Sequence, residues 1–268
     1  MKIEAIDYEP FHMVHHKTSG FNPKGNGPRT RDLPFYKVYV DELPEGIEAI
    51  VATSDLQGRE TGGQNRLLGE RISEELETLV SQGDIPSIGA VLLAGDLYDY
   101  PDCHKLGGSG DVAPVWNAFS DAFPCVLGVH GNHDVITDEN ALQGDKGHAT
   151  VALDGSRHDV NGLMVAGVSG IIGKPTKNQR KTPEAFYTLL DKVLDDSPDV
   201  LLLHHGPDNI SPRQRGDSNV RERFEKSNRE GLVIFGHCHW DAEQMWVKQG
   251  LLDVLNVDGR VMVLMKKK

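Results

Sequence analysis

Cysteine is scarce in this chain. The three present, Cys103, Cys125 and Cys238, share no short paired spacing, so they read as reduced thiols of a cytosolic protein rather than a disulfide framework. No apolar run approaches the roughly 18 residues that a membrane span requires. Positive charge is also short. The 28 basic residues against 40 acidic give a formal net charge of −12, which disfavours a long nucleic acid as partner. A metal site, however, supplies positive charge of its own. The opening stretch MKIEAIDYEP carries acids where a signal peptide would carry an apolar segment, so the expected location is cytoplasmic and no membrane association is expected. No internal repeat is visible. What is abundant is glycine, 29 residues, which points to many tight turns in a chain of 268 residues, enough for one large α/β domain or two small ones.

Residues 1–46 look irregular, with His12, His15, His16 and a Gly/Pro/Asn-rich piece, GFNPKGNGPR; they read as an extension. From Ile47 a rhythm of strands and helices sets in. IEAIVATSD is a short apolar strand. NRLLGERISEELETLVSQG has a helical apolar stripe through Leu68, Ile72, Leu76 and Leu79, stopped by Gly83. IGAVLLAGD is a second strand, APVWNAFSDAF a helix, and PCVLGVHGNHD a third strand. The alternation predicts βαβ units with parallel pairing. Residues 149–170 then carry Asp154-Gly155 and Asn161-Gly162 between β-rich runs, a pattern that predicts antiparallel hairpins. A helix over TPEAFYTLLDKVLDD, the strand DVLLLHHG, the strand EGLVIFGHCHW and a terminal pair turning at Asp258-Gly259 complete the chain. One domain with mixed strands in two sheets is expected.

Five strand-like runs end on polar residues: Asp55, Asp96, Asn132-His133, His204-His205, and His237 with His239. Ligands of open α/β sheets sit outside the carboxyl ends of strands. Carboxylate, carboxamide and imidazole are all metal-binding groups. Each place also has a plain structural reading, since an Asp after a strand caps a turn and a lone loop His is solvated. The ordered set of five is not explained that way and points to one shared metal site.

The set Asp55-x-Gln57, Gly95-Asp96-x-x-Asp99, Gly131-Asn132-His133-Asp134, His204 and Gly236-His237-x-His239 resembles the calcineurin-like metallophosphoesterase superfamily over residues 47–241. The resemblance implies an α/β fold, a four-layer α-β-β-α double β-sandwich with mixed sheets, occupying residues 47–268 as the metallophosphoesterase domain. It also implies two divalent metal ions. Asp55 and His239 would hold the first, Asp96 would bridge, and Asn132, His204 and His237 would hold the second, with His133 facing the substrate phosphate. His204 is preferred to His205 because it directly follows Leu201-Leu202-Leu203. Asp99 and Asp134 are expected to orient histidines or loops. The departure is Gln57, where the family pattern has His. Three roles are open for it: a weak ligand, a partner of a metal-bound water, or the sign of a poorly occupied site. An amide oxygen suits manganese or magnesium better than zinc or iron, so manganese is favoured, with iron, zinc and magnesium as alternatives.

The expected reaction is hydrolysis of a small phosphomonoester or phosphodiester, possibly a nucleotide, by a hydroxide bridging the metals, with Asp96 and His133 as the catalytic residues. Arg59 follows the first motif; gripping a phosphate oxygen and a solvated surface position are both open. Cys238, between two outward-facing histidines, is expected to point away as a packed thiol. The charged run at 213–230 reads as a solvated helix with Arg221–Glu225 pairing. A nuclease of the same superfamily and a non-catalytic metal-binding scaffold are the alternatives. The first lacks a basic surface in the sequence, and the second rests on Gln57 alone.

Overall fold

A computed structural model describes residues 1–19, 28–105, 107–138, 142, 146–211 and 213–267. Most of GFNPKGNGPR lies outside the described residues. The largest sheet has nine strands in the order β10 (Ala149–Ala152), β8 (Cys125–Gly128), β6 (Ile88–Leu93), β4 (Ala49–Ser54), β19 (Arg260–Met265), β3 (Pro28–Val40), β2 (His12–Ser19) and β5 (Arg59–Glu60), with β1 (Ile3–Ile6) pairing to β3. A second sheet of six runs β11 (Ser156–Val160), β12 (Leu163–Val168), β15 (Val200–His205), β16 (Gly231–Gly236), β18 (Leu252–Asn256) and β17 (Trp246–Gln249). Two short pairs, β7 (Gly110–Asp111) with β9 (Asp134–Val135) and β13 (Ile171–Ile172) with β14 (Arg180–Lys181), join loops near the strand ends.

Side-chain alternation builds the layers. On β4, Ile50 and Ala52 face Leu202, Ile234 and Leu255 of the other sheet, while Ala49 and Val51 face outward. That outer face is covered by α1 (Leu68–Gln82) and α2 (Ala113–Ala122), through Ile72, Leu76, Trp116 and Phe119. Leu201, Leu203, Val233 and Phe235 turn to the opposite outer face, where α3 (Pro183–Asp195) and α4 (Ser218–Lys226) supply Phe186, Leu190 and Phe224. Successive residues of a strand point to opposite faces, so strands buried on both sides read as continuous apolar runs. The result is the expected α-β-β-α sandwich. Local signals agree with it. Gly83 closes α1 in the left-handed conformation, and the Thr182 hydroxyl caps α3 by accepting from Ala185 N at 3.2 Å. Arg221 pairs with Glu225 on α4, as the charged run predicted.

Three expectations need correction. The stretch 1–46 expected to be irregular supplies three strands, and β3 pairs in parallel with β19 at the centre of the sheet. Its second half alternates buried and half-buried residues from Leu33 to Val40, a strand pattern masked in the sequence by the Gly/Pro-rich stretch before it. Asp154-Gly155 does not close a hairpin. β10 pairs in parallel with β8 in the large sheet, and the dipeptide carries the chain across to β11 in the small one. Asp258-Gly259 does the reverse, from β18 to β19. Of the three dipeptides only Asn161-Gly162 turns an antiparallel hairpin, with φ of 53° and 88°, the backbone that a two-residue turn requires.

Candidate metal centre

The carboxyl ends of β4, β6 and β8 from one sheet and of β15 and β16 from the other meet at one edge of the sandwich. Three residues there adopt left-handed backbone, Asp55, Asp96 and His237, with φ of 55°, 57° and 65°. They are three of the eight described non-glycine residues with positive φ. Such a conformation costs a non-glycine residue on the order of 1–3 kcal/mol and persists where the surroundings dictate it. Here the surroundings are the neighbouring turns: Asp55 N donates to Gly95 O at 2.8 Å, and His237 N donates to Asp55 Oδ2 at 2.9 Å. Two glycines permit the approach. A Cβ on Gly131 would lie 2.0 Å from Asp96 Oδ1, and one on Gly236 2.0 Å from Ser54 Oγ and 2.4 Å from Asp55 Oδ2.

Asp96, His204 and His237 bring one ligand atom each within 4.8 Å of one another. His204 Nδ1 contacts Ala94 O at 2.7 Å, which places the proton on Nδ1 and leaves Nε2 free to bind. Nε2 lies 3.3 Å from Asp96 Oδ2 without the geometry of a hydrogen bond. It is buried and unpartnered, and so is Asn132 Oδ1. Buried polar atoms are ordinarily satisfied. A buried imidazole nitrogen and an amide oxygen without hydrogen-bond partners beside a carboxylate are what a divalent cation takes, displacing the nitrogen's proton, so the donor set fits one. The neighbouring His205 differs. Its Nδ1 accepts from Ile172 N at 3.1 Å, which binds it to the backbone.

The electrostatics of these residues point the same way. Burial raises the Asp55 carboxyl well above its ordinary range, with Asp258 adding to it. Burial opposes the charge on His204 as well, but the Asp96 and Asp55 carboxylates outweigh it and hold this imidazole up at about 10. His237 is pushed down to about 3 by burial and by His204. Burial opposes the charge on Asp96, but His204 and then His133 outweigh it and keep that carboxyl below its ordinary range.

The remaining residues sort by contact. Gln57 Nε2 donates to Asp96 Oδ2 at 3.2 Å, so the amide faces the cluster. His239 is mostly exposed, with Nδ1 3.5 Å from Asp258 Oδ2. His133 is half-buried; its Nδ1 is 3.2 Å from Ser109 Oγ and its backbone N donates to Asp96 Oδ1 at 2.8 Å. Asp134 accepts from the backbone N of Asp96, Leu97 and Gly131, tying two ligand loops together, and burial raises its carboxyl to about 6. Asp99 accepts from Ser19 N and Tyr100 N. Both trailing acids hold loops rather than join the cluster.

Arg59 matches neither of its readings. It is buried, its guanidinium donates to the carbonyls of Asp99 and Asn65, and it braces the two loops instead of facing a phosphate or solvent. Cys238 is outside the cluster, and burial lifts its thiol to about 11. Two residues were not assigned to the site from the sequence. Asp258 follows β18, a sixth parallel strand ending at the same edge, and the strand-end rule would have found it had Asp-Gly not been read as a turn. His16 reaches the site's cavity from β2 and has no motif signal.

The sequence profile of calcineurin-like phosphoesterases matches residues 49–241, most of the chain. The chain belongs to that family. The metallophosphoesterase fold described above is the family's, and its chemistry is metal-dependent hydrolysis of phosphoesters at bound divalent cations. No curated protein matches the chain. Among solved structures, the protein TT1561 of Thermus thermophilus is similar with a TM-score of 0.56 and 20% identity, covering 78% of this chain and 88% of that one. A purple acid phosphatase from yellow lupin (Lupinus luteus) seeds is similar at a TM-score of 0.39 and 14% identity, covering 87% of this chain and 48% of that one. Among the described residues of this calcineurin-like phosphoesterase, no helix is long and apolar enough to cross a membrane.

Proposed function

We propose that the chain is a dinuclear metal-dependent phosphoric ester hydrolase acting on a small phosphorylated substrate. The observation that carries this reading is the pair of buried, unpartnered ligand atoms, His204 Nε2 and Asn132 Oδ1, beside Asp96. Asp96 would bridge two divalent cations. Asn132, His204 and His237 would complete one site, and Asp55, His239 and Gln57 the other. Gln57 suits manganese: a half-turn of its amide presents the oxygen where the nitrogen now meets Asp96. When bound, such cations acidify water and neutralise phosphoryl oxygens.

The protein's own side chains do the rest. Asn132 offers an oxygen without adding negative charge that would repel the substrate. His133, with Nδ1 directed at Ser109, keeps Nε2 for the substrate and delivers a proton to the departing oxygen. Asp134 fixes the backbone that carries both Asp96 and His133. The test compares 4-nitrophenyl phosphate with bis(4-nitrophenyl) phosphate under manganese, zinc and magnesium. Turnover of at least one ester is expected with manganese and lost in His133→Ala. Full turnover in that variant, or none under any metal, sinks the reading.

A further inference from the structure

A cavity of about 550 Å³ opens beside Asp55, Gln57 and His239. Its far wall comes from β2 and β3, which place Arg31 there, and Arg260 of β19 lines it from below. Arg260 is a buried cation at 2% exposure. Its Nε donates to Asp258 O at 3.2 Å and its Nη2 to Trp240 O at 2.6 Å, with His239 Nδ1 3.4 Å away. Its Nη1 is buried with no partner, and no described carboxylate forms an ion pair with it. Arg31 is exposed at the cavity, and its guanidinium makes no hydrogen bond or ion pair among the described residues.

A buried guanidinium costs several kcal/mol unless its charge is answered. The carbonyls that hold Arg260 answer its geometry but only part of its charge. Asp32, Asp55 and Asp258 also line the cavity, but Asp32 pairs with His15, Asp258 lies 3.5 Å from His239 Nδ1, and Asp55 is committed to a cation once the metal site is filled. Filling it therefore leaves two guanidiniums on a wall whose carboxylates are engaged elsewhere, one of them with an unspent Nη1 donor. Paired arginine donors suit phosphate and carboxylate oxygens.

We infer that the cavity is a second anion subsite, in which Arg260 and Arg31 hold a phosphate or carboxylate carried by the substrate a few bonds from the ester that is cleaved. The inference rests on the phosphoesterase reading and narrows its substrate class to small molecules with two anionic groups. It also gives the β2–β3 hairpin a task, since that hairpin carries one of the two arginines.

The experiment measures kcat/KM of the manganese-loaded full chain on three esters that share a three-carbon leaving group: 3-hydroxypropyl phosphate, 1,3-propanediol bisphosphate and 3-phosphonooxypropanoate. At least one doubly anionic ester should exceed the hydroxyl ester by about tenfold, beyond the twofold statistical advantage of the bisphosphate. Which of the two leads identifies the second group as phosphate or carboxylate. Arg31→Gln and Arg260→Gln should each cut that ratio at least threefold. Thermal melting checks that Arg260→Gln folds; Arg31 is exposed, so its variant decides alone if the other does not fold. A wild-type ratio near one, or a ratio kept in Arg31→Gln, overturns the inference while leaving the phosphoesterase reading intact. If no ester is cleaved under any metal, that reading fails instead. The subsite is then judged by calorimetric titration of inorganic phosphate into the manganese-loaded protein: binding weakened by Arg31→Gln upholds it, and no binding, or equal binding, overturns it.

Discussion

The two halves of the proposed metal centre are built differently. Asp96, Asn132 and His204 are buried and held by backbone contacts from Ala94, His133 and the Asp134 brace. Gln57 and His239 stand at the cavity, the first half-buried and the second mostly exposed. The buried half has its geometry set before any ligand arrives, and unpaired donors there are costly to leave open. The open half is adjustable, and it is there that the sequence departs from the family pattern. A fold that fixes one half of a site tolerates change in the other.

That contrast can be broken at several points. The largest effect is expected for Asp96→Asn, which leaves the shape intact and removes the shared charge. Its kcat/KM with manganese should fall by roughly 10³-fold, about 4 kcal/mol of barrier. A loss under tenfold would mean that the buried half does not organise the reaction.

Acid should attack the buried half as well. His130, two residues before Asn132, has both ring nitrogens buried without partners, and burial lowers its pKa from 6.5 to about 4. Between about pH 6.5 and pH 4 the unfolded chain takes up a proton that the folded chain refuses. Folding stability contributed by the neutral ring is full above that window and is lost as pH falls through it, by up to about 3 kcal/mol. Denaturant melts of chelator-treated protein at pH 7 and pH 4.5 should show the loss, and His130→Phe should flatten it. An unchanged slope in the variant removes His130 from the account.

Metal affinity separates the halves directly. His204→Ala should weaken manganese binding by about 100-fold or more, and Gln57→Ala by about tenfold or less, read by competition with a chelating dye. Equal losses would erase the distinction. The smallest expected change sharpens it: Gln57→His should tighten zinc at the open half by about tenfold, because imidazole is the better zinc ligand. No gain would show that the cavity geometry, not the residue type, limits that site.

Much of this was legible in the sequence because strand ends speak through residue type. Apolar runs stopping at Asp55, Asp96, Asn132, His204 and His237 marked the sheets, and three of these residues, Asp96, His204 and His237, are gathered in one cluster. His204, preferred to His205 for its place after Leu203, has Nδ1 against Ala94 O, while His205 Nδ1 accepts from Ile172 N. What stayed hidden were relations between distant segments. Asp-Gly has the same backbone freedom whether it turns a hairpin or steps between sheets, so 154–155 and 258–259 misled. Arg59 reads from the sequence as either a phosphate grip or a solvated residue, because its burial depends on the carbonyls of Asp99 and Asn65, contacts that no local pattern records. The hairpin wall of the cavity was missed because residues 1–46 pair with β19, some 220 positions onward.

That pairing sets an order of assembly. β19 is wedged between β4, which carries Asp55, and β3. Until residues 260–265 leave the ribosome, those two strands face each other across a missing ladder, each with an open edge able to pair with another chain. All five strand-end motifs are synthesised before the strand that locks the first of them in place. The candidate site therefore matures last, and a nascent chain stalled near residue 259 holds every one of those motifs and no finished pocket to put them in.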